Sequence, residues 1–225
     1  MNSTIREDVV IEAIKDYKYL LNRGYPRTLA LNTVTTRYML SKRERLLLYR
    51  TVHTDEQVQR IINKLINVES IDKFPLIIDG YNVILTIKAA VMCDYVYESD
   101  DTFVRDLLSV HGAVKYDTYF NESLDLLIRT IKELNVPYVL IVLDKQVSKS
   151  GELARNIRSL LEKYGVNGNA ETMRKNDVFI ISKAKDYVVC SSDIVILLKA
   201  EKAFDLAGFI IRKYMPNKVI RLKIP

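Results

Sequence analysis

The chain has 225 residues, 48% hydrophobic and 28% charged, with a formal net charge of +6 and a pI near 9.1. This is ordinary globular usage for one large domain or a small one joined to a medium one, and it excludes a disordered, collagen-like or coiled-coil chain. Cys93, Cys190, His53 and His111 form no CxxC or Cys/His cluster, which excludes a sulphur-and-imidazole zinc site and leaves the histidines a structural reading. Apolar runs such as Ile194 to Leu198 are far below the roughly 18 residues of a membrane span, and the charged N-terminus is unlike a signal peptide. The expected compartment is the cytoplasm, with no membrane partner.

Thr4 to Glu7 reads as a capping box ahead of Val9, Val10, Ala13, Ile14, Tyr17, Leu20 and Leu21 at helical spacing, and Gly24 with Pro26 stops that helix. A second helix is predicted from about Arg27 to Leu40. Ser41 with Glu44 caps a third through Val52, and Thr54 with Gln57 caps a fourth through about Ile66. Short apolar runs then alternate with helical segments. Strand Leu76 to Ile78 ends at Asp79; a helix over Tyr81 to Val91 and a polar excursion over Cys93 to Phe103 follow. Asn121 caps a helix to Leu134, and after Pro137 strand Tyr138 to Leu143 ends at Asp144. Ser150 caps a helix closed by Gly165, Val178 to Ile181 is a strand candidate, and Val188 to Cys190 runs into Ser191, Ser192 and Asp193. A helix over Ala203 to Tyr214 precedes strand Val219 to Leu222. The predicted fold is α/β, a mainly parallel sheet with helices on both faces over residues 71–225, preceded by a small, basic, all-helical domain over 1–70.

Residues 23–50 hold Arg23, Arg27, Arg37, Lys42, Arg43, Arg45 and Arg50 against one acidic residue, Glu44, a local charge of +6. Tyr25, Tyr38 and Tyr49 are interleaved, the mixture that lets a surface hold phosphates and stack on bases. Arg37, Lys42, Arg43 and Arg45 are the expected phosphate-binding face; the alternatives are a solvated helical surface or pairing with acidic residues of the second domain.

An aspartate follows three strands: Asp79, Asp144 and Asp193. Ligands of open parallel sheets sit outside the carboxyl ends of the strands, so these carboxylates are expected to converge. One such aspartate is commonly a cap or turn former, a reading that stays open for Asp193. Two carboxylates about 5 Å apart at an effective dielectric of 20 repel by roughly 3 kcal/mol, and something must neutralise them. An all-oxygen set selects Mg²⁺ or Mn²⁺, and a two-metal site of this kind suits phosphodiester hydrolysis. The expected partner is nucleic acid, RNA favoured over DNA. Ser148, Ser150 and Gly151, opening a helix beyond Asp144, offer hydroxyls and N–H groups to a phosphate, although Ser150 alone reads as an ordinary N-cap. A homo-oligomer is left open.

The stretch Ile78-Asp79-Gly80-Tyr81-Asn82 resembles the first catalytic segment of PIN-like and NYN-like nucleases, and Ser191-Ser192-Asp193 resembles their later Ser/Thr-x-Asp segment. Tyr19 to Pro26, Arg37-Tyr38 with Glu44-Arg45, Ile78 to Ala90, Val104-Arg105-Asp106 with His111-Gly112, and Leu143 to Ala154 together resemble an archaeal and bacterial family: domain of unknown function 434 followed by domain of unknown function 5616, the latter PIN-like. The resemblance implies Asp79, Asp144 and Asp193 as metal ligands, and Asn82 orienting the first or binding the scissile phosphate. It also implies a fourth ligand from Asp106 or, after it, Asp101 or Asp100. The implied activity is that of a metal-dependent nuclease; a non-catalytic nucleic-acid binder on the same fold is the alternative. No GxGxxG follows the first strand, which disfavours a dinucleotide enzyme. Tyr81 stands where an aspartyl-nucleophile phosphatase would carry an acid.

Overall fold

Side chains alternate along the central strands so that both sheet faces are apolar. Leu76, Ile78, Val139, Ile141 and Leu143 join one core, and Ile77, Leu140, Val142 and Val189 join another. Such a sheet needs helices on both sides. The computed structural model describes residues 5–92, 94–108 and 114–222. Its elements are α1 (Glu7–Asn22), α2 (Arg27–Arg37), α3 (Lys42–Thr51), α4 (Asp55–Ile62), a 3₁₀ turn (Val68–Lys73), β1 (Leu76–Asp79), α5 (Gly80–Val91), β2 (Val96–Glu98) and β3 (Val104–Arg105). They continue with α6 (Thr118–Leu134), β4 (Val139–Asp144), α7 (Ser150–Tyr164), β5 (Gly168–Met173), α8 (Asn176–Lys183), β6 (Val188–Cys190), α9 (Ile194–Lys199), α10 (Leu206–Tyr214) and β7 (Val219–Arg221). The main sheet has the order β5-β4-β1-β6, all parallel. A smaller sheet, β3-β2-β7, pairs β2 antiparallel with β3 and parallel with β7.

Helices α5, α6, α7 and α10 supply the core on one face of the main sheet, and α8 and α9 supply it on the other. Helices α1, α2 and α3 form their own cluster, into which Tyr97 of β2 and Leu107 also pack. The helical region therefore leans on the small sheet. Both capping boxes expected from the sequence are formed, Ser41 with Glu44 and Thr54 with Gln57. Glu44 is fully buried and also receives the Arg6 guanidinium at 2.7 and 2.9 Å. Bonding to Arg6 holds its carboxyl at about 2, against the pull of burial.

Several local expectations fail for identifiable reasons. Thr4 lies outside the described residues, and Arg6 precedes α1 without a side-chain cap. Helix α4 stops at Ile62 because Leu65 and Ile66 turn to pair with Ala203. The supposed polar excursion contains β2, and Asp117 rather than Asn121 caps α6, accepting from the Phe120 N–H at 3.0 Å. Val178 to Ile181 lies inside α8; a short apolar run does not distinguish strand from helix. Lys149, in the left-handed region at φ 63°, precedes α7, while Ser150 is its buried first residue and not its cap.

A buried ionic chain joins the helices to the small sheet. Lys18 of α1 lies 2.9 Å from Asp100, and His53 Nδ1 lies 2.6 Å from the same carboxylate. The adjacent Asp101 receives Arg105 in a fork at 2.6 and 2.7 Å, and Arg105 Nε donates to the Ser192 carbonyl at 3.0 Å. Burial lowers the His53 pKa and would raise that of Asp101, but Arg105 overrides it and holds Asp101 below its ordinary value. Asp101→Asn is expected to leave the buried Arg105 uncompensated and to cost about 3–5 kcal/mol in denaturant melts. Glu56→Gln, which breaks an exposed pair with Arg60, is expected to cost under about 1 kcal/mol. Equal melts for the two variants would contradict the role given to the chain.

Candidate functional site

From β1 successive strands move outward through β4 to β5, and β6 is then added on the other side of β1. A reversal of this kind opens a crevice at the carboxyl ends of the strands. Asp79 ends β1 there, with Val142 as its β4 partner, and β4 continues past that level to Asp144. The segment Ser191-Ser192-Asp193 leaves β6 on the other side.

Asp79 is nearly buried and its two carboxylate oxygens are held separately. Ser191 Oγ donates to Oδ2 at 3.0 Å, and Asn176 Nδ2, at the start of α8, donates to Oδ1 at 3.0 Å. The Asp193 N–H in turn donates to Ser191 Oγ at 3.2 Å, so one hydroxyl links Asp79 to the Asp193 segment. Burial pushes the Asp79 carboxyl up to about 6; the bond from Ser191 opposes this and the Asp193 charge reinforces it.

Each remaining residue of the Asp-Gly-Tyr-Asn turn has a separate task. A Cβ on Gly80 would stand 2.6 Å from Leu143 Cδ2 and 3.1 Å from the Val142 carbonyl, so glycine lets α5 start against β4. The Tyr81 hydroxyl meets that of Tyr116 at 2.8 Å, and Tyr116 donates to the Ser148 carbonyl at 2.8 Å, fixing the loop after Asp144. Asn82 Oδ1 accepts from Ser192 through both its N–H, at 2.8 Å, and its hydroxyl, at 3.0 Å. Asn82 thus orients the segment that carries Asp193.

The other expected site residues are placed differently. Asp144 and Asp193 accept from the N–H groups of Gln146 at 2.8 Å and Val195 at 2.7 Å, and so shape their own turns. Asp106 is not gathered with Asp79: Arg50 at 3.0 Å, Thr86 at 3.0 Å and the Leu108 N–H at 2.7 Å hold its carboxylate one turn farther along α5. Asp100 and Asp101 belong to the buried ionic chain. On the helical region Arg37 faces Asp16 at 3.5 Å, Arg43 pairs with Asp94 at 2.7 Å, Arg45 donates to Asn32 at 2.9 Å, and Lys42 is exposed. Ser148 is exposed and Ser150 buried; both line a cleft with Lys145, Lys149 and Arg155. His111 lies outside the described residues. Sequence reasoning missed Asn176, Tyr116 and Arg105. The sole signal for Asn176 was its position just ahead of an apolar run misread as a strand.

The residues around Asp79 have the all-oxygen chemistry that a hard cation takes. They are Asp79 itself, Asp193, whose charge acts on it, and Asn176, which donates to it through Nδ2 and whose Oδ1 is a buried acceptor with no hydrogen-bond partner. Asp79, Asp144 and Asp193 do not form a group with ligand atoms all within 4.8 Å; among the described residues His53, Asp100 and Asp101 do, and Lys18 and Arg105 already neutralise that group.

The raised Asp79 carboxyl fixes the sign of a pH effect. Its penalty is absent below the unfolded value of 3.8, grows as pH rises towards about 6, and is complete above that. In EDTA, Asp79→Asn is therefore expected to melt higher than the wild type at pH 8, being about 3 kcal/mol more stable, with the difference gone near pH 4. A lower melting temperature at pH 8 would contradict this. For the amide, calorimetric titration with Mn²⁺ is expected to weaken about 10–100-fold in Asn176→Leu and to recover in Asn176→Asp. Identical Mn²⁺ affinities across the three proteins would remove Asn176 from the donor set.

No helix among the described residues is long and apolar enough to cross a membrane. An uncharacterized protein of Methanocaldococcus jannaschii is 36% identical over 186 residues, covering 83% of this chain and 88% of its own length. No solved structure matches the chain. Residues 9–64 match the family described as Protein of unknown function (DUF434), and residues 68–209 match that described as Domain of unknown function (DUF5616). With the sheet, the crevice and most of its flanking helices inside the second match, the chain belongs to the Domain of unknown function (DUF5616) family, joined here to a DUF434 segment.

Proposed function

We propose that the protein is a divalent-cation-dependent nuclease with a PIN-like fold, cleaving phosphodiester bonds of nucleic acid, RNA in preference to DNA, at the carboxyl end of β1. The observation that carries this reading is Asp79: a buried carboxylate, raised to about 6, held beside Asp193 by a shared serine and beside an unpartnered amide oxygen. That arrangement is costly in a folded protein unless a cation completes it.

Mg²⁺ or Mn²⁺ held there supplies Lewis acidity and lowers the pKa of water. Asp79, Asp193 and Asn176 would hold the ion, with Asp144 facing the same strand edge. Ser191 fixes the Asp79 carboxylate at the strand end, while Asn82 and Arg105 both hold Ser192 and set where Asp193 lies. Lys145, Lys149 and Arg155, around the cleft after Asp144, put positive charge where a phosphodiester backbone would run. Without the cation the Asp79 carboxyl sits at about 6, so protons compete with the ion below that pH, and activity at limiting cation is expected to rise through that range.

A second reading, a nucleic-acid binder without turnover, is favoured by one observation: Asp144 and Asp193 are each tied to N–H groups of their own turns. Labelled single-stranded RNA and DNA incubated with protein and Mn²⁺ or EDTA separates the two. The nuclease reading expects cleavage that needs the cation and falls about a hundredfold or more in Asp79→Asn. Binding without cleavage in every condition supports the second reading, and cleavage persisting in both EDTA and Asp79→Asn contradicts the site.

A further inference from the structure

The seven basic residues of positions 23–50 divide into two sets. Arg43 and Arg50 are spent on Asp94 and Asp106, and Arg37 reaches Asp16. Arg23, Arg27, Lys42 and Arg45 meet no carboxylate among the described residues. Arg27 donates to the Tyr49 carbonyl and lies 4.9 Å from the centre of the Tyr49 ring, Arg45 donates to the Asn32 amide oxygen, and Arg23 lies 5.2 Å from the Tyr19 ring. The turn at Gly24, φ 82°, joins α1 to α2, and Arg23 and Arg27 flank the exposed Tyr25 in sequence there.

Two further observations bear on what this face meets. Tyr19, Tyr25 and Tyr49 are 58%, 50% and 48% exposed, a large outlay of aromatic surface for the outside of a small helical unit. Below them Tyr17 is fully buried, and its hydroxyl has no hydrogen-bond partner although the charges of Arg27 and Arg45 act on it. Arg27 and Arg45 thus rest their charges on neutral oxygens only, which leaves two guanidiniums on this face with no anion to balance them.

We propose that this face binds single-stranded nucleic acid, with Arg27 and Arg45 each on a phosphate and Tyr49, Tyr25 and Tyr19 as stacking surfaces for bases. Charge complementarity selects a polyanion. The exposed rings select one whose bases are free to stack, which a duplex withholds. The proposal rests on the nuclease reading for the class of polymer and adds a grip on α1, α2 and α3, none of which supplies a side chain to the Asp79 cluster.

The test is fluorescence anisotropy of a short labelled RNA with full-length protein in EDTA at several salt concentrations, repeated with the matching DNA strand and with duplex. Single strands of either kind are expected to bind, and duplex more weakly. Arg27→Gln with Arg45→Gln should lower the log-affinity against log-salt slope by about 1.4, at 0.7 for each phosphate contact. Tyr49→Leu should weaken binding about tenfold with the slope kept. Arg129→Gln on α6, which breaks only an exposed pair with Asp125, should change nothing. Circular dichroism melts check folding, and if the double variant does not fold, Tyr49→Leu and Arg27→Gln alone carry the test. Unchanged affinity in the folded Arg27 and Tyr49 variants, or duplex bound as tightly as single strand, overturns the proposal. No oligonucleotide bound by the wild type also overturns it and returns the face to a protein partner. Divalent cation is absent throughout, so failure here leaves the cleavage test standing, and loss of cleavage leaves this binding standing.

Discussion

Arg105 is a guanidinium almost without solvent, and its pairing organises three parts of the molecule at once. Asp101 receives its fork, the neighbouring Asp100 ties in Lys18 and His53 from the helical region, and Nε holds the Ser192 carbonyl at the strand-end crevice. A buried charge of this kind is tolerated only with complete pairing, and removing one partner exposes the full cost of the other. The helices, the small sheet and the crevice are therefore coupled by geometry that leaves little room for independent adjustment. From Ser192 the same polar chain continues through Asn82 into the turn that starts with Asp79.

The crevice concentrates its chemistry in very few residues. In Asp-Gly-Tyr-Asn the aspartate supplies the carboxylate, the glycine permits close approach to β4, the tyrosine fixes the loop after Asp144 through Tyr116, and the asparagine fixes the loop after β6. Two of the four act by holding neighbouring backbone and a third by letting it approach, which fits the need of a charged site for groups already oriented before a ligand arrives. The Asp79 carboxyl is the strained member: its burial opposes the charge that its two hydrogen bonds favour.

What was legible in the sequence follows from how strongly each signal is tied to physics. The central strands β1 and β4 were clear because strands buried on both faces read as unbroken apolar runs, and the capping boxes at Ser41 and Thr54 were clear because their spacing is a geometric requirement. Strand β5 was invisible: it lies at a sheet edge, and Ala170 is its one buried residue. Strands β2 and β3 are too short to show a period. At the site, Asp79 and the Ser191-Ser192-Asp193 segment could be named because they end strands. Arg105 and Asp106 are adjacent in sequence, and which of them turns towards the crevice depends on the pairing of β3 with β2, which no local pattern encodes. The basic stretch was legible as a charge excess, but its division into ion-paired and unpaired cations depends on Asp94 and Asp106, far along the chain.

Coupling between the crevice and the ionic chain makes the position of a bound cation the most direct test. Crystals equilibrated with Mn²⁺ and measured at the manganese absorption edge would give its location from anomalous scattering alone. The expected result is a peak bounded by Asp79, Asp193 and Asn176 Oδ1. A peak at His53, Asp100 and Asp101 with the crevice empty, or no peak at either place, would contradict a metal centre at the end of β1.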